Sequence, residues 1–268
     1  MRSRPLLLGT AAAIALLGAL ALLAPVLAPA PPTAQVLREG LQGPSPGHPF
    51  GQDRLGRDVL SRVLFGGRVS LTVATLVVGI SLTLGVLIGA VAGLYGGWVD
   101  EAAMRAVDIL QAFPGILLAI ALAAILGPSL VNVVLALSVI GWVGYARLAR
   151  GQVLVVREAE FVAAATALGA GPGRLLFRHL LPSILGPVVV EATFGLAGAV
   201  IAEAALSFLG LGAQPPTPSW GAILNEGRQY LLVAPHLTIF PGLCVSATVL
   251  AFNFLGDGLR DLLDPRRR

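Results

Sequence analysis

The hydrophobic residues of this chain fall into six long runs separated by shorter polar stretches. An α-helix rises about 1.5 Å per residue, so about 20 apolar residues cross a hydrocarbon core about 30 Å thick. Each run is predicted to be a membrane-spanning helix, because strand edges and loops would leave backbone groups unpaired in lipid. The six predicted spans are residues 6–27, 69–94, 109–126, 130–148, 184–206 and 237–255.

The composition agrees with a chain that lies mostly in lipid. Of its 268 residues, 56% are hydrophobic and 12% are charged, whereas a soluble domain carries about 25% charged residues. So few charges cannot coat a water-facing surface, which excludes a disordered chain, a nucleic-acid-binding domain and a disulfide-held secreted module. The single cysteine, Cys244, excludes an intrachain disulfide.

All 18 basic residues are arginine, so the chain lacks the lysine with which a Walker A loop holds phosphates. It is therefore predicted not to be a P-loop ATPase itself. Twelve of the 18 arginines lie on the side of both termini, which predicts that both termini are cytoplasmic. The first span follows Arg2 and Arg4 as in a signal peptide, but its apolar run is longer than the usual 7 to 15 or so residues. It is expected to remain as a membrane anchor.

Small residues recur at every fourth position along the second span. Ser81, Gly85, Gly89, Gly93 and Gly97 form one stripe, and such a stripe lets a neighbouring helix approach closely. We interpret it as a packing surface, with a pore lining as the alternative.

The third span contains a helix breaker and a short charged stretch at its inner end. Pro114 removes one backbone hydrogen bond, so the helix is expected to kink there. Arg105 and Asp108 are three residues apart and are expected to form an ion pair on one helix face.

Two carboxylates in the fifth span, Glu191 and Glu203, are costly in lipid and are candidate functional groups for that reason. They lie about 120° apart around a helix, so they do not share a face. Either Glu203 reaches the outer interface and Glu191 pairs with a neighbouring helix, or they line a solute path, for which Phe113 is a third candidate.

Residues 157–182, here called the inner segment, form a long polar connection between the fourth and fifth spans. Glu158 and Glu160 suit the first turn of an Ala-rich helix, where acidic side chains complement the helix dipole. Residues that end helices then follow: Gly169, Gly171, Pro172 and Gly173. A second amphipathic stretch occupies residues 174–181. Such a helical hairpin fits either contact with a partner protein or a position on the membrane surface.

The inner segment resembles the EAA loop of ATP-binding-cassette (ABC) importer permeases. The positions that match its spacing are Ala164, Ala165, Gly169, Leu181 and Pro182, whereas Ala163 replaces the usual acidic residue. Four further stretches, starting at His48, Gly96, Leu206 and Asn253, are similar to the second permease subunit of dipeptide, oligopeptide and nickel importers. The resemblance extends from His48 to the C-terminus.

The resemblance implies an all-α membrane protein with six transmembrane helices and the type I ABC importer permease architecture. Residues 1–68 would form an anchor helix and outer loop, residues 69–257 the permease core of five transmembrane helices, and residues 258–268 a cytoplasmic basic tail. The residues implied to couple the chain to ATPases are Glu160, Phe161, Ala164, Ala165, Leu168, Gly169, Ala170, Gly171, Arg174, Arg178 and Pro182.

The resemblance also implies partners and a location. A homologous permease would complete the solute path, and two separate ATPase subunits would bind ATP and Mg. An extracytoplasmic binding protein would deliver solute to the outer loops, residues 29–68 and 211–236. The assembly would lie in the cytoplasmic membrane of a prokaryote. Similar permeases carry peptides, nickel chelates or glutathione-like solutes; the sequence leaves the solute open, with peptides favoured.

Other functions are weighed against this one. Gly43, Ser45 and Gly47 match a hydrolase nucleophile elbow, but flanking prolines and the lack of a preceding strand argue against that turn. The histidines lie in separate loops, so no metal site is predicted. Two alternatives remain: a secondary transporter or channel that works without ATP, which would need coupling-ion sites in broken helices, and a membrane scaffold with no transport role.

Overall fold

The computed structural model describes residues 3–263, and these residues form a bundle of helices. No strand is present among them beyond one isolated bridge between Gln52 and Asp58. The helices are α1 (Ser3–Leu22), α2 (Ala24–Leu27), α3 (Val59–Tyr95), α4 (Gly97–Gln111), α5 (Gly115–Leu126), α6 (Leu130–Val156), α7 (Glu160–Ala167), α8 (Pro172–Leu175), α9 (Leu181–Phe208), α10 (Trp220–Gly227) and α11 (His236–Leu263).

Within the described residues, four helices are long and apolar enough to cross a membrane: α3, α6, the continuous helix Pro172–Phe208, and α11. The pair α4 and α5 counts as a fifth crossing if it is taken as one bent span. The apolar part of α1, Leu7–Leu22, is shorter. The six predicted spans therefore correspond to four long helices, one bent pair and α1.

The third span is broken rather than kinked, so the expectation of one helix over residues 109–126 is wrong. The axes of α4 and α5 meet at 83°, and Pro114 adopts an extended conformation at the N-cap of α5 (φ −58°, ψ 116°). Proline disfavours helical geometry in the residue before it and has no N–H to donate. Residues 109–111 consequently finish α4, and α5 has 12 residues.

The prediction of a separate second helix in the inner segment is also wrong. Residues 172–208 form one helix of 37 residues, in which a π-helical turn, Leu176–Leu180, joins α8 to α9. The amphipathic stretch is therefore the first part of the fifth crossing. At the other end of the chain, α11 continues to Leu263, so the residues from 258 to 263 are helical.

The small-residue stripe of α3 lies against α6. A Cβ added to Gly85 would overlap the carbonyl oxygen of Trp142, and one added to Gly89 would overlap that of Ala146. At Gly93 the neighbour is Val153, 3.0 Å from such a Cβ. Gly97 does not share this surface, because it is the first residue of α4 and has open space around it. Helices α3 and α6 therefore pack closely along this stripe.

Candidate functional site

Helix α7 turns one face to the bundle and the other to solvent. It begins at Glu160, which lies in its first turn as predicted, whereas Glu158 precedes the helix and binds Arg157 (3.1 Å). Val162 is buried against the apolar cluster formed with α3, α6 and α9. Away from the bundle, Phe161 is 48% exposed, and Leu168, which follows the last residue of α7, is 90% exposed. Large apolar side chains on a water-facing surface mark a place for a partner.

Gly169 ends α7 because its backbone adopts a conformation that few other residues tolerate. Its φ is +84°, which lies in the left-handed region. Its N–H donates to the Thr166 oxygen (2.9 Å), and the N–H of Ala170 donates to the Ala165 oxygen (3.0 Å). These two bonds form a Schellman motif. A Cβ at Gly169 would meet nothing within 4 Å, so the requirement for glycine is conformational rather than steric.

The second half of the inner segment is anchored by leucines and presents its charges outward. Leu175, Leu176 and Leu180 are buried, and they pack in the same cluster as Val162. Arg174 and Arg178 are exposed and form no ion pair or hydrogen bond within residues 3–263. The segment is therefore a rigid projection with a cationic flank.

The structure places the predicted coupling residues as follows. Two of them are half-buried, Ala165 and Ala170. The others are exposed: Glu160, Phe161, Ala164, Leu168, Gly169, Gly171, Arg174, Arg178 and Pro182.

Ion pairs hold α4 across the inner end of α6. Asp100 accepts hydrogen bonds from the Nε and Nη2 atoms of Arg150, and Arg147 Nη2 donates to Asp108 (2.9 Å). Arg105 contacts Glu101 at 3.7 Å. The expected pair of Arg105 with Asp108 is therefore wrong, because α6 supplies a better-placed cation.

A cavity of about 310 Å³, here called the first cavity, opens among α3, α5, α6 and α9. Ser81 Oγ and Tyr145 Oη line it and are buried without a hydrogen-bond partner in the described structure. Both atoms sit where the facing residue has no side chain. A Cβ on Gly141 would overlap Ser81 Oγ, and a Cβ on Gly195 would overlap Tyr145 Oη. Glycine at these two positions therefore makes room for the hydroxyl groups.

The three candidate path residues lie in different environments. Glu191 is exposed and borders the first cavity. Glu203 is fully buried and accepts a hydrogen bond from Ser207 Oγ (2.7 Å), so the expectation that it reaches the outer interface is wrong. Phe113 is exposed in the break between α4 and α5 and is not among the residues lining the cavity. The expected pairing of Glu191 with a neighbouring helix is absent from residues 3–263.

Asp53, Arg57, Arg62 and Glu226, here called the outer cluster, lie together at the opposite end of the bundle, and no local sequence pattern indicates this. Arg57 Nη2 donates to Glu226 (2.5 Å), and Arg62 donates to Asp53 (2.5 Å) and to both oxygens of Glu226 (2.8 and 3.0 Å). Next to it, Asp58 caps α3 by accepting the Ser61 N–H (2.7 Å). The outer cluster fastens residues 53–62 to α10, so the two outer loops form one unit.

The fold and these features define a class of protein: a helical membrane protein with several spans and a rigid projection at one end. A solved structure of the MetNI methionine ABC transporter in an inward-facing conformation has the same fold, with a TM-score of 0.61 at 20% identity over 75% of this chain and 96% of that chain. A second inward-facing structure of that transporter aligns with a TM-score of 0.58 at 20% identity over 76% of this chain and 97% of that chain.

The chain belongs to the family described as the binding-protein-dependent transport system inner membrane component, which matches residues 85–268. It is 48% identical to the glutathione transport system permease protein GsiD of Pectobacterium atrosepticum over 84% of this chain and 75% of that protein. It is also 48% identical to the dipeptide transport system permease protein DppC of Alkalihalophilus pseudofirmus over 85% of this chain and 75% of that protein. The chain is thus an ABC importer permease of the inner membrane, and the alternative of an ATP-independent carrier is not supported.

Proposed function

We propose that this permease carries short peptides across the membrane as one half of a two-permease path. An extracytoplasmic binding protein delivers the peptide, and two separate ATPase subunits, which bind ATP and Mg, drive the transport. Membership of the family supports the binding protein and the ATPases as partners. The relatives named for dipeptide and glutathione transport support a peptide as the solute.

The observation that carries the coupling role is the exposed face of α7. Phe161 and Leu168 present apolar surface, and Arg174 and Arg178 lie beside them without partners in the described chain. An apolar patch with a charged rim fits a protein surface better than a lipid surface, since interfaces combine a desolvated centre with a polar edge. Because Leu175, Leu176 and Leu180 fix the segment to the bundle, force applied to α7 reaches the membrane helices.

The orientation follows from the same proposal. If α7 meets ATPases, the inner segment is cytoplasmic, and the arginine distribution supports both termini on that side. The outer cluster then lies at the extracytoplasmic end, where it fixes the loops that receive the binding protein.

The test is uptake by the reconstituted importer. The permease, its sister permease, two ATPases and the binding protein are placed in vesicles, and labelled Ala-Ala is added with internal ATP. We expect accumulation that requires ATP and the binding protein. Co-purification of the ATPases is expected to require residues 157–182. Equal uptake without ATPases, or retained assembly after deletion of those residues, would contradict the proposal.

A further inference from the structure

A second cavity of about 530 Å³ lies among α6, α9 and the end of α11, and it carries two opposite charges. Glu191 of α9 and Arg260 of α11 both line it, together with Gln152 of α6. Within residues 3–263 neither charged side chain forms an ion pair or a hydrogen bond. The cavity therefore contains an anion and a cation that do not satisfy each other.

Their position makes a purely structural explanation within this chain inadequate. Glu191 is near the midpoint of the helix Pro172–Phe208, where a carboxylate that faced lipid would be costly. Such a group is retained in a membrane protein when it faces a water-filled path, a partner or a ligand. Glu191 also borders the first cavity, so the two cavities meet at this carboxylate.

The size and charges of the second cavity select one class of ligand. Binding sites for small molecules commonly measure about 300–1,000 Å³, so the space suits a solute of two or three residues. Both side chains are exposed, so water solvates them when no ligand is bound. A neutral solute would gain no charge-assisted contact from either side chain, and an anionic solute would be repelled by Glu191. A zwitterion with a separated ammonium and carboxylate satisfies both.

We propose that the second cavity is a transient site for a short peptide with free termini. The Glu191 carboxylate accepts hydrogen bonds from the α-ammonium group, the Arg260 guanidinium donates to the α-carboxylate, and Gln152 offers an amide to the peptide bond. The proposal rests on the proposed function, because it requires that the solute be a peptide. It adds a recognition site within the permease itself, separate from that of the binding protein.

The experiment compares Glu191→Gln and Arg260→Gln with the unchanged importer in vesicles supplied with binding protein and Ala-Ala. Peptide taken up and ATP hydrolysed are measured together. Hydrogen bonds to charged groups contribute about 1.5–3 kcal/mol each, so each variant is expected to lose at least about tenfold in peptide transported per ATP. ATP hydrolysis stimulated by the binding protein is expected to remain within about twofold, since α7 is unchanged. The control is Glu101→Gln with Arg105→Gln, an exposed ion pair on α4.

Direct binding removes the contribution of the binding protein. Ala-Ala and its doubly capped analogue, N-acetyl-Ala-Ala-amide, are titrated onto the solubilised, nucleotide-free complex. We expect Ala-Ala to bind about tenfold more tightly or better, and expect that preference to disappear in both variants.

Each other outcome overturns the inference. Normal uptake per ATP in both variants would show that the charges do not handle peptide. Failure of either variant to co-purify with the sister permease would assign the charges to the interface between subunits. If the unchanged importer does not transport Ala-Ala at all, it is the proposed function that fails, and that result is seen before any variant is tested.

Discussion

The two ends of this bundle are built on opposite principles. At the outer end Arg57, Arg62 and Asp53 are buried, and they join Glu226 in a network of charge-assisted hydrogen bonds. At the inner end the inner segment is held by leucine packing and a backbone cap, and its arginines stay in solvent. Removing one partner of a buried ion pair strongly destabilises a protein, whereas exposed charges contribute little to its stability. The outer end therefore has a geometry fixed by buried charges, whereas the inner end has an exposed surface available to a partner protein.

The largest effect is expected from Arg62→Met in the outer cluster. The substitution leaves Asp53 and Glu226 short of a cation and should cost about 3–5 kcal/mol of stability. The apparent Tm of the purified chain in detergent is expected to fall by roughly 10 °C. Arg68→Met is the matched control, since Arg68 is exposed and forms no ion pair in the described part of the chain. Equal Tm values for the two variants would show that the outer cluster does not stabilise the protein more than an exposed arginine does.

The next largest loss of stability is expected from a substitution in the contact between α3 and α6. Gly89→Ala places a methyl group against the Ala146 backbone, and overpacking of this kind costs about 1–3 kcal/mol. Thermal unfolding in detergent measures the loss. Gly79→Ala on the same helix has nothing within 4 Å of the added carbon and should leave the Tm nearly unchanged. A stable Gly89→Ala variant would mean that α3 and α6 do not depend on this close contact.

A smaller effect on stability, but a large one on coupling, is expected at Gly169. An L-residue with φ near +84° costs about 1–2 kcal/mol, and relief of that strain would displace the end of α7. Gly169→Val is expected to reduce ATP-driven uptake at least about tenfold while assembly persists.

Gly169→Asn is the informative control, because asparagine tolerates the left-handed conformation better than valine. It is expected to retain most of the uptake. Comparable loss in both variants would show that volume, rather than backbone conformation, matters there.

The smallest effect on stability is expected from Phe161→Ala. Phe161 is 48% exposed and its ring is 6.5 Å from the His179 ring, so its removal should lower the free energy of unfolding by less than about 1 kcal/mol. Recovery of ATPase subunits on affinity purification is nevertheless expected to drop severalfold. Leu231→Ala, at an exposed position outside the inner segment, should leave that recovery unchanged; an equal drop there would argue against a specific docking face.

The hydrophobic runs were sufficient to predict the all-helical architecture, because length and apolarity alone decide whether a helix can cross a bilayer. Local signals also placed Glu160 in the first turn of α7 and the end of the helix at the glycines that begin with Gly169, whereas Glu158, expected in the same turn, precedes the helix. The sequence does not show that the second half of the inner segment belongs to the fifth crossing, because Arg174 and Arg178 interrupt the apolar run. In the structure these arginines point to solvent while Leu175 and Leu176 continue the buried face.

Features that depend on distant residues could not be predicted. Arg57 finds Glu226 across a separation of 169 residues, and no local pattern announces that contact. The break at Pro114 is likewise more than a proline effect, since the Asp100–Arg150 pair holds α4 against α6. The candidate carboxylates were identified by their cost in lipid, but only the packing of α9, α10 and α11 separates buried Glu203 from exposed Glu191.

The unbroken helix Pro172–Phe208 has a geometric consequence for transport. At about 1.5 Å per residue a helix of that length is roughly 55 Å long. A tilt of about 10° around an outer pivot would swing its first turn sideways by roughly 10 Å and move its midpoint by about half as much. A small tilt imposed at the first turn of this helix would thus also displace Glu191 and the cavities beside it, by about half as much.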